Sequence, residues 1–264
     1  MSTANAEWTA YFEGIHAKVL KMMKAMIFAA GLGTRLRPLT DRMPKALVPV
    51  AGEPLLRHVL DKLKSAGYDD ITVNVHHFAD MVEEDLACTE GLAPEPGAGV
   101  HISDERALLL DTGGAVSHAR RYLEGSGHFL LHNVDILSDL DLSALEAACR
   151  PDDLATLVVS ERESSRRLLF DDELRLRGWT NLRTGEIRSP YPDLDPSTCR
   201  SYAFSGIHLM SDRVFGLMGG GAFPVMDFYL ENAASHSIRA YVAEGLRIID
   251  VGKSDALALV ESFR

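Results

Sequence analysis

The chain has little of what would mark it as extracellular, membrane-bound or nucleic-acid-binding. Cysteine is scarce: Cys88, Cys149 and Cys199 are odd in number, far apart and without paired zinc-site spacing, which argues against a disulfide framework and for a reducing, cytoplasmic compartment. Positive charge is in deficit, with 27 Lys and Arg against 38 Asp and Glu, and a net charge of −11 is the wrong sign for a protein that wraps nucleic acid. No run approaches the roughly 20 apolar residues of a transmembrane helix. Glu7 and Glu13 stand where a signal peptide would be basic and then apolar. Neither a nucleic acid nor a membrane is therefore expected as a partner, and oligomeric state is left open.

What is present is a chain of 264 residues, 46% hydrophobic, long enough for a substantial core. Residues 1–22 place Trp8, Tyr11, Phe12, Ile15, Val19 and Leu20 at roughly helical spacing. They read either as an appended helix or as residues ahead of a later start at Met22 or Met23. From residue 25 onward apolar strand-like runs alternate with helical patterns. Strands are expected at 25–30, 70–75, 100–103 and 129–132, with helices at 54–66, 80–87 and 114–123. Strand, crossover helix and strand in repetition imply an α/β fold built on a doubly wound, mainly parallel sheet.

After residue 152 the pattern shortens. Strands at 155–160, 168–171 and 174–179 have polar links and little helix between them, so this half is expected to be partly antiparallel. A proline-containing loop over 188–199, expected over a pocket, precedes a clear strand at 202–210. A helix at 225–236, a strand pair at 238–243 and 247–251 and a last helix at 254–263 complete the expectation.

The chemistry concentrates where the first strand ends. Ala30-Gly31-Leu32-Gly33-Thr34-Arg35 follows that strand directly, so its amides emerge at the carboxyl edge of a parallel sheet, where ligands of this class bind. Successive glycine amides suit phosphate oxygens. The loop is neither a P-loop, which would continue Gly-Lys-Ser/Thr, nor the dinucleotide fingerprint, because position 36 is Leu rather than a third Gly. Arg35, Arg37 and Lys45 gather cations here in an otherwise acidic protein, as transfer between two polyanions requires. Further on, Asp111-Thr112-Gly113-Gly114 opens a helix with Asp111 or Thr112 in position to cap it. His76 and His77 end the second strand at the same edge, as ligand contacts or as structural histidines; without a third ligand no zinc site is expected. Two apolar strands end in a carboxylate, Asp135 and Asp250, a placement suited to a hard cation that bridges phosphates.

The run from Gly31 to Leu55, with Arg35, Pro44-Lys45, Leu47-Val48-Pro49-Val50, Gly52 and Pro54, closely resembles the signature of the sugar-1-phosphate nucleotidyltransferases, also called nucleotide-sugar pyrophosphorylases. The resemblance covers most of residues 24–264 and recurs at Thr112-Gly113-Gly114, Asn133-Val134-Asp135, Phe204-Ser205-Gly206-Ile207 and Asp250-Val251-Gly252, an order that is similar to the N-acetylmuramate-1-phosphate uridylyltransferases and also to the mannose-1-phosphate guanylyltransferases. It implies one nucleotidyltransferase domain over 23–264, a nucleotide-binding part at 23–150 and a sugar-phosphate-binding part at 151–264, with no C-terminal β-helix. It implies Arg35 on the outer phosphates and Lys45 at the reacting phosphates, and nucleotide contacts from Ala30, Gly31, Gly33, Thr34, Gly113 and Gly114. Asn133, Ser205 and Gly206 would meet the sugar, and Asp135 and Asp250 would hold Mg²⁺. The expected substrates are a nucleoside triphosphate and a sugar 1-phosphate.

The chain departs from the family pattern in carrying Val134 where Gly is common, and Gly178-Trp179-Thr180-Asn181 where many members have a Glu-Lys-Pro triplet. Other readings are transfer to a non-sugar phosphate such as phosphocholine, transfer to a molybdenum cofactor, or a non-catalytic sensor of sugar nucleotides. The last has less need of Arg35, Lys45, Asp135 and Asp250 together. A metal-dependent glycosyltransferase would usually show Asp-x-Asp where Asn133-Val134-Asp135 stands.

Overall fold

The computed structural model describes residues 23–88 and 99–252; the helices expected over 1–22 and 254–263 lie outside the described residues. Strand β1 (Met23–Phe28) shows how two cores arise from one strand. Ala25 and Ile27 enter one apolar cluster and Met26 the other, all three fully buried, because successive side chains of a strand point to opposite faces. A small antiparallel pair, β2 (Pro49–Val50) and β3 (Glu53–Pro54), leads into helix α1 (Leu55–Ser65). Leu55, Leu56, Val59, Leu60 and Leu63 form its buried face at helical spacing, against the cluster that holds Ile27. Strand β4 (Tyr68–Val75), helix α2 (Ala79–Ala87), strand β5 (Gly99–Asp104), helices α3 (Asp111–His118) and α4 (Arg120–Leu123) and strand β6 (His128–Asn133) follow. Strands β5, β4, β1 and β6 lie side by side and parallel. Ala115, Val116 and Leu123 of α3 and α4 join the cluster on the Met26 side, so helices cover both faces and the sheet is doubly wound, as expected.

The chain continues through β7 (Ile136–Ser138), α5 (Leu142–Ala148), β8 (Asp153–Ser160), β9 (Arg166–Phe170), β10 (Leu176–Asn181), β11 (Glu186–Arg188), β12 (Arg200–Ser211), α6 (Val225–Asn232), β13 (Ser237–Val242) and β14 (Ile248–Asp250). Strand β12 unites the sheet. Its last five residues run antiparallel to β6, it also pairs antiparallel with β8, and its first three residues pair with β9, which continues antiparallel into β10 and β11. The central region is thus mixed and mainly parallel, with an antiparallel extension.

Three expectations are corrected. Residues 238–243 and 247–251 do not pair with each other: β13 lies parallel to β8, and β14 lies antiparallel to β7. Alternation of apolar residues marks a strand but not its partner, and β13 gains more by burying Ile238 and Ala240 against the open edge of the sheet. The helix expected at 114–123 starts earlier, at Asp111, and breaks at Ala119. Helix α5 was not expected; it has only seven residues, and Asp141 caps it by accepting the amides of Ser143 and Ala144. Among the described residues no helix is long and apolar enough to cross a membrane.

The β6–β12 seam buries two histidines, His132 and His208. Burial holds His132 down to about 4, and burial, with a smaller contribution from His132, holds His208 down to about 3. Both remain neutral in the folded protein while the unfolded chain takes up a proton below about 6.5, so stability is complete above that pH and is lost as pH falls toward 4. The expected slope is on the order of 1 kcal/mol per pH unit for each histidine. Urea unfolding between pH 7 and 4.5 checks this. His208→Gln, which keeps an acceptor for the Tyr229 hydroxyl now bonded to Nδ1 and does not titrate, should make the acid slope shallower.

Candidate functional site

The parallel strands place their carboxyl ends on one edge, and the chain between β1 and β2 folds there as three short 3₁₀ turns. The backbone of Leu36 and the hydroxyl of Thr40 both donate to the Gly33 carbonyl, at 2.9 and 2.8 Å, which closes the first two turns on each other. A cavity of about 640 Å³ opens at this edge. Ala30, Gly31, Gly33, Thr34, Arg35, Lys45, Asn133 and Asp135 line it, so eight of the expected site residues share one cavity. Arg37 does not; it makes a solvent-exposed pair with Asp41 at 3.3 Å.

Lys45 follows Pro44 into the third turn and is buried, its ammonium against the Asp135 carboxylate. Asp135 stands two residues beyond β6, and its carbonyl accepts the Val251 amide at 2.9 Å. That bond and the β7–β14 pairing bring Asp250 beside it although 115 residues separate them in sequence. Gly252 marks the point of convergence. A β-carbon on it would lie 2.7 Å from Asp250 Oδ1, 3.0 Å from Arg35 Nη2 and 3.0 Å from Asp135 Oδ2, so no two of these atoms are further apart than twice the longer distance. Two carboxylates and one guanidinium, with an ammonium bonded to one of the carboxylates, therefore surround a residue that has no side chain. Among the described residues no cluster of three or more His, Cys, Asp or Glu forms a metal cage. The donor set of Asp135 and Asp250 fits Mg²⁺, which takes one or two carboxylates and completes its shell with water and phosphate oxygens.

Gly113 and Gly114 sit differently from the expectation. Both amides donate to the carbonyl of Phe223, at 2.8 and 3.2 Å, and a β-carbon on Gly113 would lie 2.3 Å from the Phe223 ring. These glycines receive the 219–225 segment and do not line the cavity; Asp111 and Thr112, together with the adjacent Ala222, Phe223 and Pro224, line it here. Neither Asp111 nor Thr112 is the helix cap. Leu110 occupies that position, and the Thr112 hydroxyl instead accepts the Val225 amide at 2.9 Å.

Ser205 and Gly206 lie behind the wall, not on it. They form a bulge in β12, where Phe204 and His208 pair with Val159 and Leu157 of β8, and the Ser205 hydroxyl accepts the Ile207 amide at 3.1 Å. Gly206 has φ +82, and a β-carbon there would lie 2.7 Å from Asn133 Nδ2. Its contribution to the cavity is the placement of Asn133. His76 bonds the Glu105 carbonyl through Nδ1 at 2.7 Å and His77 packs on Phe78, and neither lines the cavity described here. Trp179 packs against the core cluster on the Met26 side and Tyr191 bonds the Ala233 carbonyl, so neither Trp179 nor the 188–199 loop covers the cavity.

Asn74, Glu105 and Phe223 are wall residues that no sequence pattern had marked as ligand contacts. Asn74 and Glu105 were within reach of such a reading, since each stands where a parallel strand ends. Phe223 was not, since its place depends on docking to α3.

The fold carries a Gly-rich loop at the carboxyl edge of its parallel strands and two aspartates that converge on Gly252. The family model of nucleotidyl transferases matches residues 24–167, and the chain belongs to that family. It is 35% identical over 234 residues to the N-acetylmuramate alpha-1-phosphate uridylyltransferase of Caulobacter vibrioides, covering 84% of this chain and 89% of that one. It is 36% identical over 118 residues to the catalytic subunit beta of mannose-1-phosphate guanylyltransferase of Xenopus tropicalis, covering 44% and 32%. Among solved structures, HddC of Yersinia pseudotuberculosis superposes with a TM-score of 0.73 at 22% identity over 92% of this chain and 100% of that one, which supports the fold.

The close approach at Gly252 is testable. Gly252→Ala should leave the melting temperature within a few degrees yet lower nucleotidyl transfer by roughly 10- to 100-fold, because displacing charged groups by a fraction of an ångström degrades their alignment. Thermal unfolding and steady-state kinetics on the same preparation check it.

Proposed function

We propose that this protein transfers a uridylyl group from UTP to N-acetylmuramate 1-phosphate, giving the nucleotide-sugar and pyrophosphate, with Asp135 and Asp250 as ligands of a divalent cation. The observation that carries the reaction is the convergence of Arg35, Asp135 and Asp250 on Gly252, beside Lys45, where Arg35, Lys45, Asp135 and Gly252 line the cavity. A triphosphate and a sugar phosphate are both polyanions, and two carboxylates at their meeting point would repel them unless a cation lay between. Asp135 and Asp250 would hold Mg²⁺, which when bound would supply positive charge to stabilise the phosphate oxygens. The amides of residues 31–35 would cradle the outer phosphates with Arg35. Lys45 would pass from Asp135 to the reacting phosphates once the aspartate has a metal partner. An oxygen of the sugar phosphate then attacks the α-phosphorus in line, the bond from that phosphorus to the α,β-bridging oxygen breaks, and pyrophosphate leaves with the electron pair.

The choice of uridylyl transfer rests on a relative that is similar over most of both chains, whereas the guanylyltransferase match spans less than half of this one. Transfer from GTP to mannose 1-phosphate is the second reading. Pyrophosphate release over a grid of triphosphates and sugar 1-phosphates, with and without Mg²⁺, tests both. One preferred pair with UTP and N-acetylmuramate 1-phosphate is expected, and a preference for GTP with mannose 1-phosphate would replace it. Asp135→Asn should reduce Mg²⁺-dependent release by about 10³-fold or more while the protein stays folded. Unchanged turnover in that variant would remove the metal assignment.

A further inference from the structure

Asn74 and Glu105 have no part in the chemistry just described, yet each is only 3% exposed and each forms part of the cavity wall. The side-chain oxygen of Asn74 accepts the amide of Ala29 at 2.7 Å and that of Ala30 at 3.3 Å, the two residues that follow β1. Its Nδ2 donates to Glu105 Oε1 at 2.8 Å. Glu105 Oε2 accepts the Leu110 amide at 3.1 Å, and the Leu110 carbonyl accepts the Phe223 amide at 3.1 Å. The Glu105 backbone is pinned as well, its amide to the Val75 carbonyl at 2.8 Å and its carbonyl to His76 Nδ1 at 2.7 Å. One buried carboxylate therefore connects three walls of the cavity: the Gly-rich loop through Asn74, the 110–112 turn directly, and the 222–224 segment through Leu110.

The direction of these bonds is forced. An ionised carboxylate only accepts, so the amide of Asn74 must turn its NH₂ toward Glu105 and its oxygen toward Ala29 and Ala30. A buried carboxylate without donors is costly, which holds that orientation against the flip open to an unconstrained asparagine. With the amides of Ala29 and Ala30 drawn to β4, the chain turns at Gly31 and Leu32 into the cavity, and no hydrogen bond within the protein occupies their amides among the described residues.

We propose that Glu105 and Asn74 are a positioning pair for the nucleotide: the charge of Glu105 orients Asn74, and Asn74 sets the backbone amides that meet the phosphates. The proposal rests on the nucleotide-binding reading above. It makes a test from donor and acceptor matching. In Asn74→Asp two carboxylates face each other, and in Glu105→Gln the new NH₂ must face either Asn74 Nδ2 or the Leu110 amide. In the double variant every donor again meets an acceptor. The carboxylate introduced at position 74 accepts from Ala29, from Ala30 and from the side-chain NH₂ introduced at position 105, while the side-chain oxygen at position 105 accepts from Leu110.

Titration calorimetry with Mg²⁺ and UTP, and in parallel GTP, without acceptor sugar measures binding apart from turnover; thermal unfolding is followed on the same samples. Each single variant should bind roughly 10- to 100-fold more weakly than wild type, and the double variant should return to within about threefold. Should the single variants not fold, the double variant decides alone, and its folding with near wild-type affinity supports the pair. A double variant that fails to fold, or that regains the wild-type melting temperature without regaining affinity, overturns the proposal, the latter outcome leaving the pair a merely structural contact. Single variants that bind as wild type overturn it and leave the functional reading intact. Wild-type protein that binds neither triphosphate overturns both.

Discussion

The largely enclosed ammonium of Lys45 is stabilised by the carboxylate of Asp135 against it. The rest of the site depends on this pair. It pins the third 3₁₀ turn of the Gly-rich connection to the end of β6, which fixes the loop relative to the strand that neighbours β1 in the sheet. It also holds a positive and a negative charge side by side at the cavity wall, in a protein whose net charge is −11.

Strand β12 explains how so mixed a sheet keeps one coherent site. It turns the parallel sheet into an antiparallel one at β6, extends it through β9, and supports β8 and β13 along its other side. Its bulge at Ser205 and Gly206 falls beside Asn133. A strand that only propagated the sheet would not need the bulge; one that must leave space for the end of β6 at the cavity does. The second half of the chain reaches the nucleotide side by another route, the 219–225 segment seated on Gly113 and Gly114. Two close approaches, one at each end of the cavity, thus join regions that composition alone would separate near residue 150.

The nucleotidyl transferase family match over residues 24–167 takes in the Gly-rich loop, Lys45 and Asp135, and leaves out Asp250 and Gly252, which the fold brings beside them. Asn74, Glu105, Thr112 and Phe223 line the cavity, and their positions follow from contacts between distant segments.

Fold class was legible in the amino-acid sequence, because alternating strand and helix periods are a local pattern, and so was the placement of the Gly-rich loop at the carboxyl edge of the sheet. Strand pairing was not legible, and the expected strand pair at 238–243 and 247–251 gave way to β13 on β8 and β14 on β7 once the chain packed. Packing also moved Gly113, Gly114, Ser205 and Gly206 from ligand contact to support, because a glycine that admits a ligand and one that admits another segment look alike in one dimension. The bonds from Asn74 to Glu105 and from Lys45 to Asp135 belong to the folded chain alone. A buried charge chooses its partner by proximity in three dimensions, and 31 and 90 residues of separation leave no trace of that choice in the sequence.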